Sequence, residues 1–307
     1  MIVCCGEALI DMLPRDIANE GMGYLPVSGG AVFNTAITLG RLGESAGFFT
    51  GLSIDLFGQQ IEENLTASNV DARFCKRQDL PTTLAFVKLT DGHAEYAFYD
   101  ENSAGRMITV DDLPSFNDDV SALHFGAISL IPDPCGSTYE ALMVREASKR
   151  VISFDPNIRP TFIKDEATYR KRMQRMLGLA DIIKVSDEDL AWLMPGVEFE
   201  DAAAKMIADG AAIVLMTKGA EGVEAITRDG KSFVPAAKAI VVDTVGAGDS
   251  FNGGFLAGLN RQGLLNKQAL AAIADVQTQE ALRLAVAVAA ITVSRAGANP
   301  PWQNELA

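Results

Sequence analysis

The segment Asp243-Thr244-Val245-Gly246-Ala247-Gly248-Asp249 joins two glycines to a carboxylate just before an apolar, helix-like stretch that runs through Asn252 and Phe255. Glycine permits backbone angles and close approaches denied to larger residues. The N–H groups that open a helix are unpaired and lie at the positive end of its dipole. Loop and helix start together suit a phosphate, with the amides of Gly246, Ala247, Gly248 and Asp249 as donors. Asp249 brings the wrong sign of charge to such a site, and two readings stay open. It caps the helix, or it is a general base that takes a proton from an attacking hydroxyl beside a developing phosphoryl charge. With an ordinary pKa of about 3.9 it is ionised at neutral pH and needs only position.

A second segment, Ser28-Gly29-Gly30-Ala31-Val32-Phe33-Asn34, sets Asn34 near another helix start, where its amide can donate to and accept from a polyol. Asp11 adds a carboxylate that accepts from hydroxyls. An ordinary turn with structural polar contacts is the alternative for each. In Asp155-Pro156-Asn157-Ile158-Arg159-Pro160 two prolines stiffen a loop after a strand. That loop presents Arg159 at the sheet's carboxyl end, where open α/β folds bind ligands. An arginine there neutralises a transferring phosphate, or forms a surface ion pair worth little. No GxxxxGK[ST] occurs, and no GxGxxG opens a helix after a strand, so the loop is neither a Walker loop nor a dinucleotide turn.

Positioning such residues takes strands that end together. Ile2–Gly6, Ala122–Phe125, Val151–Phe154, Ile182–Val185 and Ala212–Thr217 read as buried strands, each followed by a turn or helical segment. This alternation predicts an α/β fold with a mostly parallel sheet flanked by helices. Ala31–Leu42, Ala247–Leu259 and Gln279–Val293 have helical spacing, and Gly222–Ile226 with Ser232–Pro235 reads as a hairpin. Alternating residues 83–99 around Asp91-Gly92 predict another hairpin. With a loop near 12–27 it forms an appendage to the main layer.

A chain of 307 residues can bury its core without metal or disulfide staples. Its 26 basic against 40 acidic side chains argue against a nucleic-acid backbone as partner. Cys4, Cys5, Cys75 and Cys135 form no CxxC pair, and only His93 and His124 accompany them, so a zinc site is not expected. Cys4 and Cys5 point to opposite faces of a strand. The longest apolar stretch, Leu284 to Val293, is too short to span a bilayer. No basic region precedes Ile2-Val3-Cys4-Cys5, so no signal peptide is expected and the reducing cytoplasm is the expected compartment.

Gly29-Gly30 with Asn34, and the Asp243-to-Asp249 segment, resemble the two signatures of the PfkB (ribokinase-like) carbohydrate kinases. The resemblance runs from Gly6-Glu7 and Asp11 to Ser294-Arg295-Ala296-Gly297-Ala298. Cys5-Gly6-Glu7-Ala8-Leu9-Ile10-Asp11, Phe98-Tyr99 with Ser103-Ala104-Gly105-Arg106, His124-Phe125-Gly126 and the Asp155–Pro160 loop look like the bacterial fructokinase branch. It implies one catalytic domain over residues 1–307 with a small β lid near 12–27 and 83–107. Antiparallel lid strands with an exposed face are natural docking edges, so a homodimer through the lid is expected. The resemblance implies transfer of the γ-phosphate of ATP to a primary hydroxyl of a free neutral hexose, most simply fructose. Rivals are 2-keto-3-deoxygluconate, ribose or a nucleoside as acceptor, and a sugar-binding regulator without chemistry.

By the same resemblance Asp249 is the base, the Gly246, Ala247 and Gly248 amides with Arg159 hold the phosphate charge, and Asp11, Gly29, Gly30, Asn34, Phe98 and Arg106 hold the sugar. Lys184, Ser186, Thr217, Gly219, Gly222, Thr244 and Asn252 fall on the nucleotide side. The family's Asn-x-x-Glu motif for Mg2+ is here Ser186-Asp187-Glu188-Asp189, leaving Glu188 or Asp189 to organise that ion through water. Asp243 with carbonyls of Arg295 and Gly297 resembles a K+ site; a loop cap and a plain turn are the alternative. Asp100 stands where an arginine is frequent in related kinases, which disfavours an anionic sugar acid. Gly105 stands where aspartate is common before Arg106.

Overall fold

The computed structural model describes residues 1–18, 21–90 and 93–306. The apolar runs become a nine-stranded sheet. From one edge its strands are Lys231–Pro235, Gly222–Thr227, Ile213–Thr217, Ile182–Ser186, Val151–Asp155, Ala122–Gly126, Ile2–Cys5, Ala46–Phe49 and Val70–Asp71. Neighbours pair in parallel except at the first edge, where Ile213–Thr217, Gly222–Thr227 and Lys231–Pro235 form an antiparallel meander. Ile2–Cys5 is apolar throughout because helices cover both faces of the sheet. Alternation sends Cys4 into one core and Cys5 into the other. The first core lies under helices Ala31–Arg41, Ala247–Arg261 and Asp275–Val293, the second under Cys135–Glu146, Glu166–Leu177 and Phe199–Asp209. The α/β layering expected from the sequence is the one observed.

Parallel pairing brings the carboxyl ends of the central strands to one edge of the layer. Gly126 lies beside Asp155 there, and Ser186 beside Thr217. The segments that follow carry Glu7, Arg159, Asp189 and Gly219. Among the described residues no helix is long and apolar enough to cross a membrane.

Four more strands build a small separate sheet in the order Gly21–Gly29, Leu9–Ile17, Leu84–Thr90, His93–Tyr99. Its outer pairs are antiparallel, and Ile10–Met12 runs parallel to Leu84–Phe86. Here one expectation is corrected. The 12–27 segment is not a loop, since Leu9–Ile17 and Gly21–Gly29 pair in register along their full lengths. Pro14 and Pro26 are tolerated within these strands for a definable reason. Pro26 is on an edge strand, and the Leu84–Thr90 pairing stops at Met12, before Pro14. The expected Asp91-Gly92 turn lies outside the described residues.

Candidate active site

The glycine-rich loop turns at Gly246, whose φ of 77° is left-handed, and helix Ala247–Arg261 begins directly after it. A Cβ at Gly246 would lie 2.5 Å from that of Ala298, so both backbone angle and space require glycine. Asp243 braces the loop by accepting from Val245 N at 3.0 Å and Gly297 N at 2.9 Å. No partner for the N–H of Gly248 or Asp249 is found among the described residues. Two donors therefore face outward at the positive end of a helix of 15 residues.

Asp249 is the third residue of this helix, and no backbone N–H donates to its carboxylate. It is not a helix cap. Instead Asn34 Nδ2 donates to its Oδ2 at 2.9 Å, and the Thr35 hydroxyl donates to its carbonyl at 3.1 Å. The expectation of ordinary acidity is also corrected. Burial pushes the Asp249 carboxyl up to about 7; the Asn34 hydrogen bond and Lys184 oppose the rise, while Asp155 and Glu7 add to it. Such a group changes protonation near neutrality, as a general base should.

Behind Asp249 lies a buried polar cluster. Lys184 Nζ stands 3.1 Å from Asp155 Oδ2, and Asn252 Nδ2 donates to the same oxygen at 2.7 Å. The other oxygen of Asp155 accepts from Asn157 N. A Cβ at Gly248 would come within 3.4 Å of Lys184 Nζ, so the ammonium sits just beneath the loop. Burial alone would lower the Lys184 pKa, but Asp155, Asp189 and Asp249 outweigh it and hold the ammonium charged. Asp155 is a site residue that the sequence reading quoted without giving it a role. Its one signal was its place at the end of a strand before proline. His124 forms part of the floor: its Nδ1 lies 3.0 Å from Ser153 Oγ, and burial with Lys184 nearby lowers it to about 3, so it stays neutral.

The residues expected to hold the sugar stand on the small sheet and the first helix. Asp11 lies opposite the Gly29 region, and a Cβ at Gly29 would overlap its carboxylate. Burial raises Asp11 to about 6. Gly30 has φ 112°, and a Cβ there would lie 2.8 Å from the Glu7 carbonyl. A cavity of about 770 Å³ is walled by Glu7, Phe98, Arg106, Ser129, Phe162 and Tyr169 among others, and Asp11, Asn34 and Asp249 are not in its lining. Phe98 meets Phe162 edge-on at 4.6 Å. Arg106 is matched by a neighbouring acid, 3.2 Å from Asp100.

Residues 1–305 match the pfkB family carbohydrate kinases. The chain belongs to that family. This kinase is 56% identical over 273 residues to a fructokinase of Rhizobium leguminosarum bv. trifolii, covering 89% of its own chain and 84% of that protein. It resembles the crystal structure of fructokinase with bound ATP from Xylella fastidiosa at TM-score 0.91 and 30% identity, covering 99% of this chain and 96% of that one. A fructokinase double mutant from Vibrio cholerae O395, in fructose, ADP and potassium ion bound form, matches at TM-score 0.87 and 26% identity, with 99% and 96% covered.

In this kinase the expected residues separate into groups. Asn34, Lys184, Gly246, Ala247, Gly248, Asp249 and Asn252 come together. Ser186 and Thr217 are neighbours in the sheet, and Gly219 (φ 52°) and Gly222 (φ 132°) shape the turn beyond them. Thr244 is exposed on the loop. Both oxygens of Asp189 are taken, by Ile158 N at 2.7 Å and Ser186 N at 3.0 Å, whereas Glu188 is exposed. Arg159 does not join the cluster. It is exposed and donates to the carbonyl of Ile158 at 3.0 Å. Arg295 turns its side chain away to Glu305, leaving only its backbone near Asp243 and Gly297.

Proposed function

We propose that this kinase transfers the γ-phosphate of ATP to a primary hydroxyl of free fructose. The observation that carries the reading is Asp249: a buried carboxylate, oriented by Asn34, beside outward-facing N–H groups at a helix start. The sugar oxygen attacks the γ-phosphorus and its proton passes to Asp249. As the new O–P bond forms, the bond to the bridging oxygen breaks and ADP leaves with that electron pair. The loop amides and the Lys184 ammonium below them offset the charge that gathers on the phosphoryl oxygens. The exposed apolar run Ile240, Val241 and Val242 leading into the loop suits the face of a purine.

Among the described residues no group of three or more His, Cys, Asp or Glu forms a metal cage. With Asp189 occupied, the donor set fits a Mg2+ that arrives on the nucleotide and keeps its waters, with Glu188 the available carboxylate. Its chemistry would be to neutralise phosphate charge. A K+ beside the loop would use carbonyls of Arg295 and Gly297 around the Asp243 brace. The four free cysteines are all buried and suit the reducing cytoplasm. The small sheet acts as the lid, and its exposed Ile17, Met22, Tyr24, Leu25 and Tyr99 suit a second copy of the chain.

Fructose fits this lid better than a sugar acid does. A carboxylate brought there must compete with Asp100 for Arg106. Leaving one buried polar group unpaired costs about 1–3 kcal/mol, or ~5–150-fold. Coupled ADP-release assays on fructose, 2-keto-3-deoxygluconate, ribose and nucleosides should therefore rank fructose first in kcat/KM, ahead of the sugar acid by at least ~5-fold. A sugar acid or a nucleoside ahead of fructose would remove the fructose assignment and leave the kinase.

A further inference from the structure

Glu7 is a buried carboxylate for which the proposed chemistry has no use. It lies just past the central strand Ile2–Cys5 and is 8% exposed. Among the described residues it has no cationic partner within ion-pair distance. It is held by backbone donors instead: Oε1 accepts from Ala31 N at 2.9 Å and Val32 N at 3.4 Å, and Oε2 from Ser129 N at 3.3 Å. Burying a carboxylate in this way is costly, and burial does raise its pKa. A serine at the helix start would ordinarily do such capping at less cost. That solution is closed here, because position 30 has no room for a Cβ, and helix Ala31–Arg41 has no side-chain cap of its own.

The helix capped by Glu7 is the one that holds Asp249. Ala31 and Val32 form its first turn, and Asn34 and Thr35, the next residues along, grip the Asp249 carboxylate and carbonyl. We propose that Glu7 is a positioning residue for Asp249, acting through the first turn of helix Ala31–Arg41 and through Asn34. The inference rests on Asp249 being the base. Ser129 ties the same carboxylate to the loop after Ala122–Gly126, so two sheet strands and the helix meet at one side chain. A shift of about 1 Å at a reacting group can cost ~10²-fold in rate, and that is the scale expected when the tether is cut.

Glu7 also acts through its charge. The groups that bear on Asp249 are the Asn34 amide, Asp155, Lys184 and Glu7. Ser129, Val32, Tyr139 and Tyr169 surround Glu7 itself. Removing its negative charge makes ionised Asp249 easier to form, so the acid limb of the rate profile should move to lower pH.

The test is the pH dependence of kcat and of kcat/KM for the full chain carrying Glu7→Gln, Glu7→Ala or Asp249→Asn. Glu7→Ala should lower kcat ~10²-fold with KM for ATP little changed. Glu7→Gln keeps an acceptor oxygen for Ala31 and Val32. It should recover at least a third of wild-type kcat and carry its acid limb to lower pH. If Glu7→Ala keeps wild-type kcat, or the Glu7→Gln limb does not move, Glu7 is a structural cap only and the proposal is overturned. Should Glu7→Ala fail to fold, the Glu7→Gln limb decides alone. An active Asp249→Asn enzyme would instead overturn the base, whatever Glu7 does.

Discussion

Asp249→Asn should lower kcat by ~10²–10⁴-fold, the usual loss on removing a general base, with the fold and sugar binding kept. Asparagine preserves the shape and still accepts the hydrogen bond that Asn34 donates at 2.9 Å. What it lacks is the place for the sugar's proton. Wild-type kcat/KM should show an acid limb near pH 7, because the Asp249 carboxyl is raised to about 7 by burial and must be ionised to work. Below that limb the rate should fall about tenfold per pH unit, the behaviour of a single protonation.

Stability should move the other way. A carboxyl whose folded pKa is raised favours the fold most at low pH, and that contribution is lost as pH rises through about 7. At pH 8 the wild type keeps a buried negative charge that Asp249→Asn does not. The variant should therefore melt higher than wild type at pH 8 and nearly level with it at pH 4. More than a third of wild-type activity in the variant would show that Asp249 is not the base.

Lys184→Met is the second large effect, and it should show in both rate and stability. The substitution leaves Asp155 buried without its cation. Breaking one partner of a buried pair costs about 3–5 kcal/mol. It also removes the charge beneath the Gly248 amide, and loss of one such stabilising group costs ~10²–10³-fold in kcat. Adding Asp155→Asn separates the two. The double variant no longer strands a charge; its amide oxygen accepts from Asn252 while its NH2 meets the Asn157 N–H, so stability should recover most but not all of the loss. Its kcat should stay low. A double variant that regains both would mean Lys184 is only a structural partner of Asp155, and a Lys184→Met enzyme within threefold of wild-type kcat would discard its role altogether.

Local spacing revealed the parts of this site that are local. The loop from Asp243 to Asp249 and the pair Gly30 and Asn34 each sit within one turn and its helix, so their chemistry is written in adjacent letters. The central strands were legible for a similar reason: sheets covered on both faces need unbroken apolar runs. Partnerships across the chain were not legible. Asn34 meets Asp249 across 215 positions, and Lys184 meets Asp155 across 29, with no periodicity to announce either. The acidity of Asp249 depends on Asp155 and Glu7 arriving from other strands. The 12–27 segment misled because the glycines and proline between Gly21 and Pro26 lower strand propensity wherever they occur. Their harmlessness depends on which side of each strand is unpaired, and that is a property of the assembled sheet.

The brace between Asp243 and Gly297, and the contact between Gly246 and Ala298, also bear on the order in which this protein can become active. Ribosomes deliver Glu7 and Asn34 early, and the strand Ile2–Cys5 takes its central place once Ala122–Gly126 has been made. The glycine-rich loop gains its backing only when residues 295–298 emerge. A nascent chain can thus hold a nearly finished sheet while the glycine-rich loop still lacks its brace. In the order of synthesis, the turn at Gly246 is made before the residues that brace it.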